Sequence, residues 1–478
     1  MLEKSMAKCQ QGILRGVSLG DGVSVFRGVP FAQPPVGDLR WRAARKPEIW
    51  YGIRPATEFM AMPRQRAFGG AADPRYQSED CLYLNIWTPA TSEDEKHPVY
   101  VWFYGGAYQA GDASETTFDG SYLAKKGIVT VTVNYRVGLF GFLCHPDMKN
   151  EPARDHGNFG VTDQIASLEW IRDNIAAFGG DPNRVTIGGH SAGSASVNNL
   201  MVSPLSRNLI HGAINESGDV FQPERDITFD QAAQDGLRLQ EALKCASLDE
   251  MRALPTDALM NHEFDAAMAN RITCTPVIDG VVIPYAQGDM LLHNDAAQIP
   301  IIVGSCADEG SGGGPGYRER VMERLGLPEA LYPDESRETV SRLARDYWYG
   351  RHLAWARIRS EYGLPTYQYN FARRRNGGMA MHGDEIPYAF GSMNYSTHGQ
   401  RNPYGPEDYA FMEKLNGYWV NFIYTGDPNG EGLPTWPKKD ADPVHMKLDL
   451  VCEMEGDYYR PEYEVVCPLV EKWMRSRI

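Results

Sequence analysis

Nothing in this chain approaches the ~20 consecutive apolar residues that a membrane-spanning helix needs. Basic residues are in the minority: 47 Lys and Arg stand against 62 Asp and Glu, a formal charge of −15. The longest basic block is Arg373-Arg374-Arg375. A nucleic-acid partner needs a basic face, so that class of partner is excluded. Cysteine is sparse, with eight in 478 residues, none in a C-x-x-C pair and none with His at zinc spacing. No metal and no cofactor are therefore expected. The N-terminus, Met1-Leu2-Glu3-Lys4-Ser5-Met6-Ala7-Lys8, lacks the apolar core of a secretory signal, so the expected location is cytoplasmic. Low cysteine usage agrees with a reducing compartment.

What is present points to a folded enzyme. Hydrophobic residues make up 42% of the chain and aromatics 11%, which rules out disorder and is ample for a large core. No repeat or composition shift divides the sequence, so a single catalytic domain over residues 1–478 is expected. Residues 12–29 alternate apolar and polar around Gly20-Asp21-Gly22, the grammar of an N-terminal β-hairpin. Val99–Tyr104 and Ile128–Tyr135 read as strands, the second β-branched enough to be buried on both faces. Ile165, Leu168, Ile171, Ile175 and Phe178 form a helical stripe over 163–178. Val185-Thr186-Ile187 and 299–303 are further strands, and a helix begins near Ala192. Strands alternating with helices predict an α/β fold: a central, mostly parallel sheet flanked by helices, with helical insertions.

Two segments fit G-x-S-x-G: Gly16-Val17-Ser18-Leu19-Gly20 and Gly189-His190-Ser191-Ala192-Gly193. The pattern alone is weak, and context separates the two. A nucleophilic serine needs a strand, a sharp turn and a helix, so that its hydroxyl projects above the sheet. Ser18 lies inside the hairpin and reads as structural. Ser191 follows a strand and precedes small residues suited to a helix packed on a sheet. Acyl transfer also needs backbone N–H donors outside any strand ladder. Tyr104-Gly105-Gly106-Ala107-Tyr108, at a strand end, resembles the glycine-rich loop that supplies them in lipases and esterases.

The chain resembles the type-B carboxylesterase family, which has the α/β-hydrolase fold and includes cholinesterases and bacterial para-nitrobenzyl esterases. The matching segments include Gly28–Pro35, Ser78–Asn85, Asn134–Gly138, Gly157–Gly193, Ala307-Asp308-Glu309-Gly310, Met381–Pro387 and Thr425–Asn429. The resemblance implies a catalytic triad of Ser191, Glu309 and His382, in the chain order expected for this fold. Asp308 is the alternative acid, and Asp384 reads as a helix-start residue. The family pattern further implies an oxyanion hole of Gly106, Ala107 and Ala192, with Gly105 supporting the loop. Ser217 matches a serine that supports the triad from behind, although a buried structural hydroxyl explains it equally well. His190 stands where the family usually carries Glu. Met62 stands where the family has the cysteine partner of Cys81. No Trp lies between residues 60 and 80, where cholinesterases hold the one that stacks on choline.

The resemblance implies a serine carboxylesterase acting on a small-molecule ester, mostly of neutral alcohols, through an acyl-enzyme. The same triad serves amidases, thioesterases and transesterases. A non-catalytic interaction protein on this fold typically loses the nucleophile, and this chain keeps serine, acid and base.

Overall fold

A computed structural model describes residues 5–65, 77–218, 221, 226–260, 274–310, 316–395, 403–439 and 444–478. The chain folds as two compact units. The first comprises residues 1–115, 120–211 and 222–287, and the second 116–119, 212–221 and 288–478.

The sheet of the first unit contains β1 (Val17–Gly20), β2 (Val23–Pro30), β3 (Tyr83–Thr88), β4 (His97–Phe103), β5 (Val129–Val133) and β6 (Gly180–His190). Their order is β6-β4-β5-β3-β2-β1. β4 lies parallel to both β6 and β5, while β3, β2 and β1 continue antiparallel. All five residues of β5 are buried, as its β-branched sequence requires. Helix α1 (Phe159–Asn174) and helix α2 (Ala192–Val202) pack against β6. The apolar stripe of α1 is buried, but so are Thr162, Asp163, Gln164 and Ser167. Asp163 is tolerated there because it takes a two-pronged ion pair from Arg136, at 2.6 and 2.8 Å.

The N-terminal hairpin is shorter than residues 12–29. Ser18 faces Ser24 across β1 and β2, with Asp21-Gly22 at positive φ in the turn. Residues Gly12–Arg15 instead join a separate three-stranded sheet with Met6–Cys9 and Ile53–Pro55. The chain changes sheets at Gly16, where a Cβ would meet the Val25 carbonyl oxygen at 2.4 Å.

The second unit carries β7 (Gly212–Glu216), β8 (Ile301–Cys306), β9 (Thr366–Phe371), β10 (Val444–Leu448) and β11 (Glu453–Gly456). β7 through β10 run parallel and β11 closes antiparallel. Helix α3 (Arg337–Glu361) packs on β8 and β9 and against helix α5 (Tyr463–Arg475). Helix α4 (Pro406–Thr425) brings Trp419 to the sheet, its ring 5.6 Å from that of Tyr369. Among the described residues no helix is long and apolar enough to cross a membrane.

Candidate active site

Ser191 sits between β6 and α2 with φ 58° and ψ −123°, a left-handed conformation that a non-glycine residue adopts only when its surroundings enforce it. The enforcement is visible at the flanking glycines. A Cβ on Gly193 would meet the carbonyl oxygens of Phe103 and Tyr104 at 2.0 and 2.6 Å. One on Gly189 would meet the Gly193 carbonyl carbon at 2.5 Å. The glycines let the turn close against the end of β4, which holds the serine on a sharp elbow. Ser18, by contrast, is an exposed residue of a hairpin strand.

The Gly105–Tyr108 loop leaves β4 beside this elbow. A Cβ on Gly105 would stand 3.0 Å from the Ser191 Cβ and 2.7 Å from the His190 carbonyl oxygen, so only glycine allows this approach. Gly106 and Ala107 both have positive φ, 114° and 55°. Both residues lie beyond the end of β4 at Phe103, outside its ladder. The Gly106 carbonyl accepts from Gln109 N and Ala110 N at 2.9 and 3.1 Å, folding the loop into a tight turn. Tyr104 and Tyr135 brace its base: their rings stack at 4.4 Å and each hydroxyl donates to the other's carbonyl, at 2.8 and 2.7 Å. Gln65 pins the far end through both Gly111 N and Gly111 O. Ala192 is the first residue of α2, so its N–H belongs to the unsatisfied positive end of that helix. His190 is buried, its ring lying against the Gly105 position.

In the second unit, Glu309 follows β8 with its side chain only 2% exposed. Its Oε2 lies 2.9 Å from Nδ1 of His382, and its Oε1 accepts from Cys306 N at 3.3 Å. A carboxylate at Nδ1 leaves Nε2 as the proton-accepting nitrogen of a neutral imidazole. Asp308 faces elsewhere. It takes two bonds from Arg374, at 2.6 and 2.9 Å, one from Ala380 N at 2.9 Å, and one from Arg460 at 3.4 Å. Burial opposes its charge, but these donors outweigh that and hold the carboxyl below its usual range. Asp384 does not cap the next helix, whose N-cap is Glu385. Instead it accepts from Met381 N at 2.7 Å and closes the turn that carries His382.

Behind this dyad lies a group that sequence reasoning missed. Glu385 is fully buried and accepts from Ser217 Oγ at 3.0 Å, Cys306 Sγ at 3.0 Å and Tyr369 OH at 3.3 Å. Burial first, then repulsion from Glu309, pushes its carboxyl upward. Glu216 is buried beside Ser217 and accepts from Trp419 Nε1 at 2.9 Å. Burial, reinforced by Glu385, pushes it well above the usual range. The signals were a glutamate three residues after His382, in His382-Gly383-Asp384-Glu385, and one preceding Ser217. Among the described residues no cluster of His, Cys, Asp and Glu could hold a metal ion.

The first unit thus gathers Gly105, Gly106, Ala107, His190, Ser191 and Ala192, and the second gathers Glu309, His382 and Ser217. Such parts suit acyl transfer on an α/β-hydrolase scaffold. Comparison with known proteins agrees: the chain belongs to the carboxylesterase family, which it matches over residues 3–319 and 316–466. It is 34% identical to fumonisin B1 esterase of Sphingopyxis macrogoltabida, over 91% of this chain and 84% of that protein. It is 31% identical to para-nitrobenzyl esterase of Bacillus subtilis, over 95% and 96%. Among solved structures, a PNB esterase superposes with a TM-score of 0.85 at 29% identity, covering 97% of this chain and all of that one. The carboxylesterase EST55 of Geobacillus stearothermophilus gives 0.83 at 29% identity, over 95% and 98%. The fold is that of the α/β-hydrolases, and the protein is a carboxylesterase.

Proposed function

We propose that this carboxylesterase works through a Ser191–His382–Glu309 triad and an acyl-enzyme, with 1–478 acting as one catalytic domain. The observation that carries the proposal is the 2.9 Å contact between Glu309 Oε2 and His382 Nδ1, directly after strand β8. In this reading Nε2 of His382 takes the Ser191 hydroxyl proton as the oxygen attacks the ester carbonyl. The new O⁻ is held by the N–H groups of Gly106, Ala107 and Ala192. His382 then gives its proton to the departing alkoxide, leaving the acyl group on Ser191. Water repeats the sequence: His382 removes its proton, the tetrahedral adduct collapses, and Ser191 leaves reprotonated with the carboxylic acid as product. Glu309 stabilises the imidazolium at each stage without taking the proton.

Substrates are esters of mostly neutral alcohols. His190 in place of a carboxylate, and the absence of Trp between residues 60 and 80, support this; of that stretch, residues 66–76 lie outside those described. Ser217 supports the dyad through Glu385. Cytoplasmic residence belongs to the same proposal and is supported by eight cysteines that are all free thiols, seven of them buried.

The deciding experiment is hydrolysis of a chromogenic ester by Ser191→Ala and Ser18→Ala. The first should lose nearly all activity and the second none, and an organophosphate should label the Ser191 peptide. Equal losses would refute the assignment.

A further inference from the structure

The peptide plane joining Ala307 and Asp308 leads into Glu309, and it is held at both edges. Planarity points the Ala307 carbonyl and the Asp308 N–H in opposite directions. The carbonyl accepts from Nη2 of Arg460 at 2.8 Å, and Asp308 N donates to the Ala380 carbonyl at 3.0 Å. The same Nη2 lies 3.4 Å from Asp308 Oδ1. Ala380 N, on the loop that carries His382, returns a bond to Asp308 Oδ2 at 2.9 Å. Arg460, between β11 and α5, is anchored in turn by the core. Its own carbonyl accepts from Tyr463 N at 3.0 Å where α5 begins. Tyr463 stacks on Tyr349 of α3, with ring centroids 4.5 Å apart. A line of contacts therefore runs from the packed helices through Arg460 to the residues that precede Glu309.

We infer that Arg460 is a positioning residue for the acid: by holding Ala307 and Asp308 it fixes the peptide plane that aims Glu309 at His382. The inference rests on the proposed triad. Releasing the Ala307 carbonyl leaves that plane with its N–H bond alone, so the plane can tilt, and Glu309, the next residue, moves with it. The Glu309–His382 contact is 2.9 Å, near the best length for a charge-assisted bond, so displacement lengthens it. A carboxylate held less closely stabilises the imidazolium less, which lowers kcat rather than substrate affinity. Asp308 keeps its ion pair with Arg374 when Arg460 is changed, so no carboxylate is left unpaired.

The test compares Arg460→Met with Arg460→Lys, with active sites counted by organophosphate titration. Methionine keeps an unbranched stem without a donor. It should lower kcat by about 3- to 10-fold at unchanged KM, less than the ~100-fold that an ångström of misplacement can cost. Arg460→Gln, polar but too short to reach Ala307, replaces it if the methionine variant does not fold. Both bonds of Arg460 to this loop come from one nitrogen, so a lysine ammonium can replace them and should keep kcat within about threefold. A double-mutant cycle with Glu309→Gln shows whether Arg460 acts through the acid: the double variant should be no slower than Glu309→Gln alone. Losses that multiply, a methionine variant as fast as wild type, or a lysine variant as slow as the methionine one overturns the inference. The single variants separate the two readings. If Glu309→Gln keeps its activity, the triad reading fails. If Glu309→Gln is strongly impaired while Arg460→Met matches wild type, only the role of Arg460 fails.

Discussion

Replacing Glu309 with glutamine isolates the charge at Nδ1 while keeping the side chain's size. The carboxylate is 2% exposed and lies 2.9 Å from the imidazole nitrogen. With the charge centres about 4 Å apart and an effective dielectric near 20, the lost attraction for imidazolium is about 4 kcal/mol. His382 is 37% exposed, so solvent screens part of it and about 3 kcal/mol is a fairer figure. That is roughly a hundredfold in rate. A second loss adds to it. The glutamine amide can donate to Nδ1, which would place the imidazole proton on Nε2, the nitrogen that in the proposed triad accepts from serine. Loss of the correct tautomer brings the expected drop in kcat to about 10³–10⁴, with KM changed little.

The neighbouring Asp308→Asn is the control. Asparagine keeps one acceptor oxygen but cannot satisfy Arg374, Arg460 and Ala380 N together. It should cost about 1–3 kcal/mol of stability, seen as a lower melting temperature, while kcat falls less than about tenfold. Steady-state kinetics on one chromogenic ester, with organophosphate titration of intact sites, measures both. A loss below tenfold for Glu309→Gln, or a larger kcat loss for Asp308→Asn, would refute the reasoning and reassign the acid.

Glu216 is held neutral in the fold above the pH at which an unfolded glutamate ionises, about 4.3. Its contribution to stability is therefore complete below that pH and falls as pH rises towards its folded value. Glu216→Gln cannot ionise, so its melting temperature should decline less between pH 5 and 8 than that of wild type, and parallel curves would contradict this. Gly193→Ala should abolish activity and lower stability, because the new methyl would overlap the Phe103 and Tyr104 carbonyls; a folded, active variant would show that the elbow can shift. A neutral butyrate ester should exceed butyrylcholine in kcat/KM by about 2- to 30-fold at matched leaving-group pKa, the worth of a missing cation–π contact. Preference for the choline ester would mean that another aromatic supplies that face.

The elements that sequence made legible are those whose cause is local. Ser191 was separable from Ser18 because strand, turn and helix signals lie within a dozen residues of each, and Val129–Val133 announces its burial by composition. The glycines of the elbow were legible as a pattern, but their reason is remote: Gly193 must be small because of carbonyls some ninety residues earlier. Residues 12–15 were misjoined to the hairpin because alternation fixes which face a side chain takes, not which strand it pairs with. Glu216 and Glu385 were passed over because a glutamate normally signals surface, and only a surrounding set of donors from β8, β9 and α4 makes their burial tolerable. The choice between Asp308 and Glu309 shows where local reading stops. The two carboxylates are adjacent, so spacing treats them alike, yet successive side chains diverge. One is drawn to Arg374 and Arg460, 66 and 152 residues onward, and the other is left facing His382, 73 residues onward. In the proposed triad the choice of acid therefore follows from where the arginines sit: they neutralise Asp308 in a scaffold role, and the glutamate beside it is left to face His382.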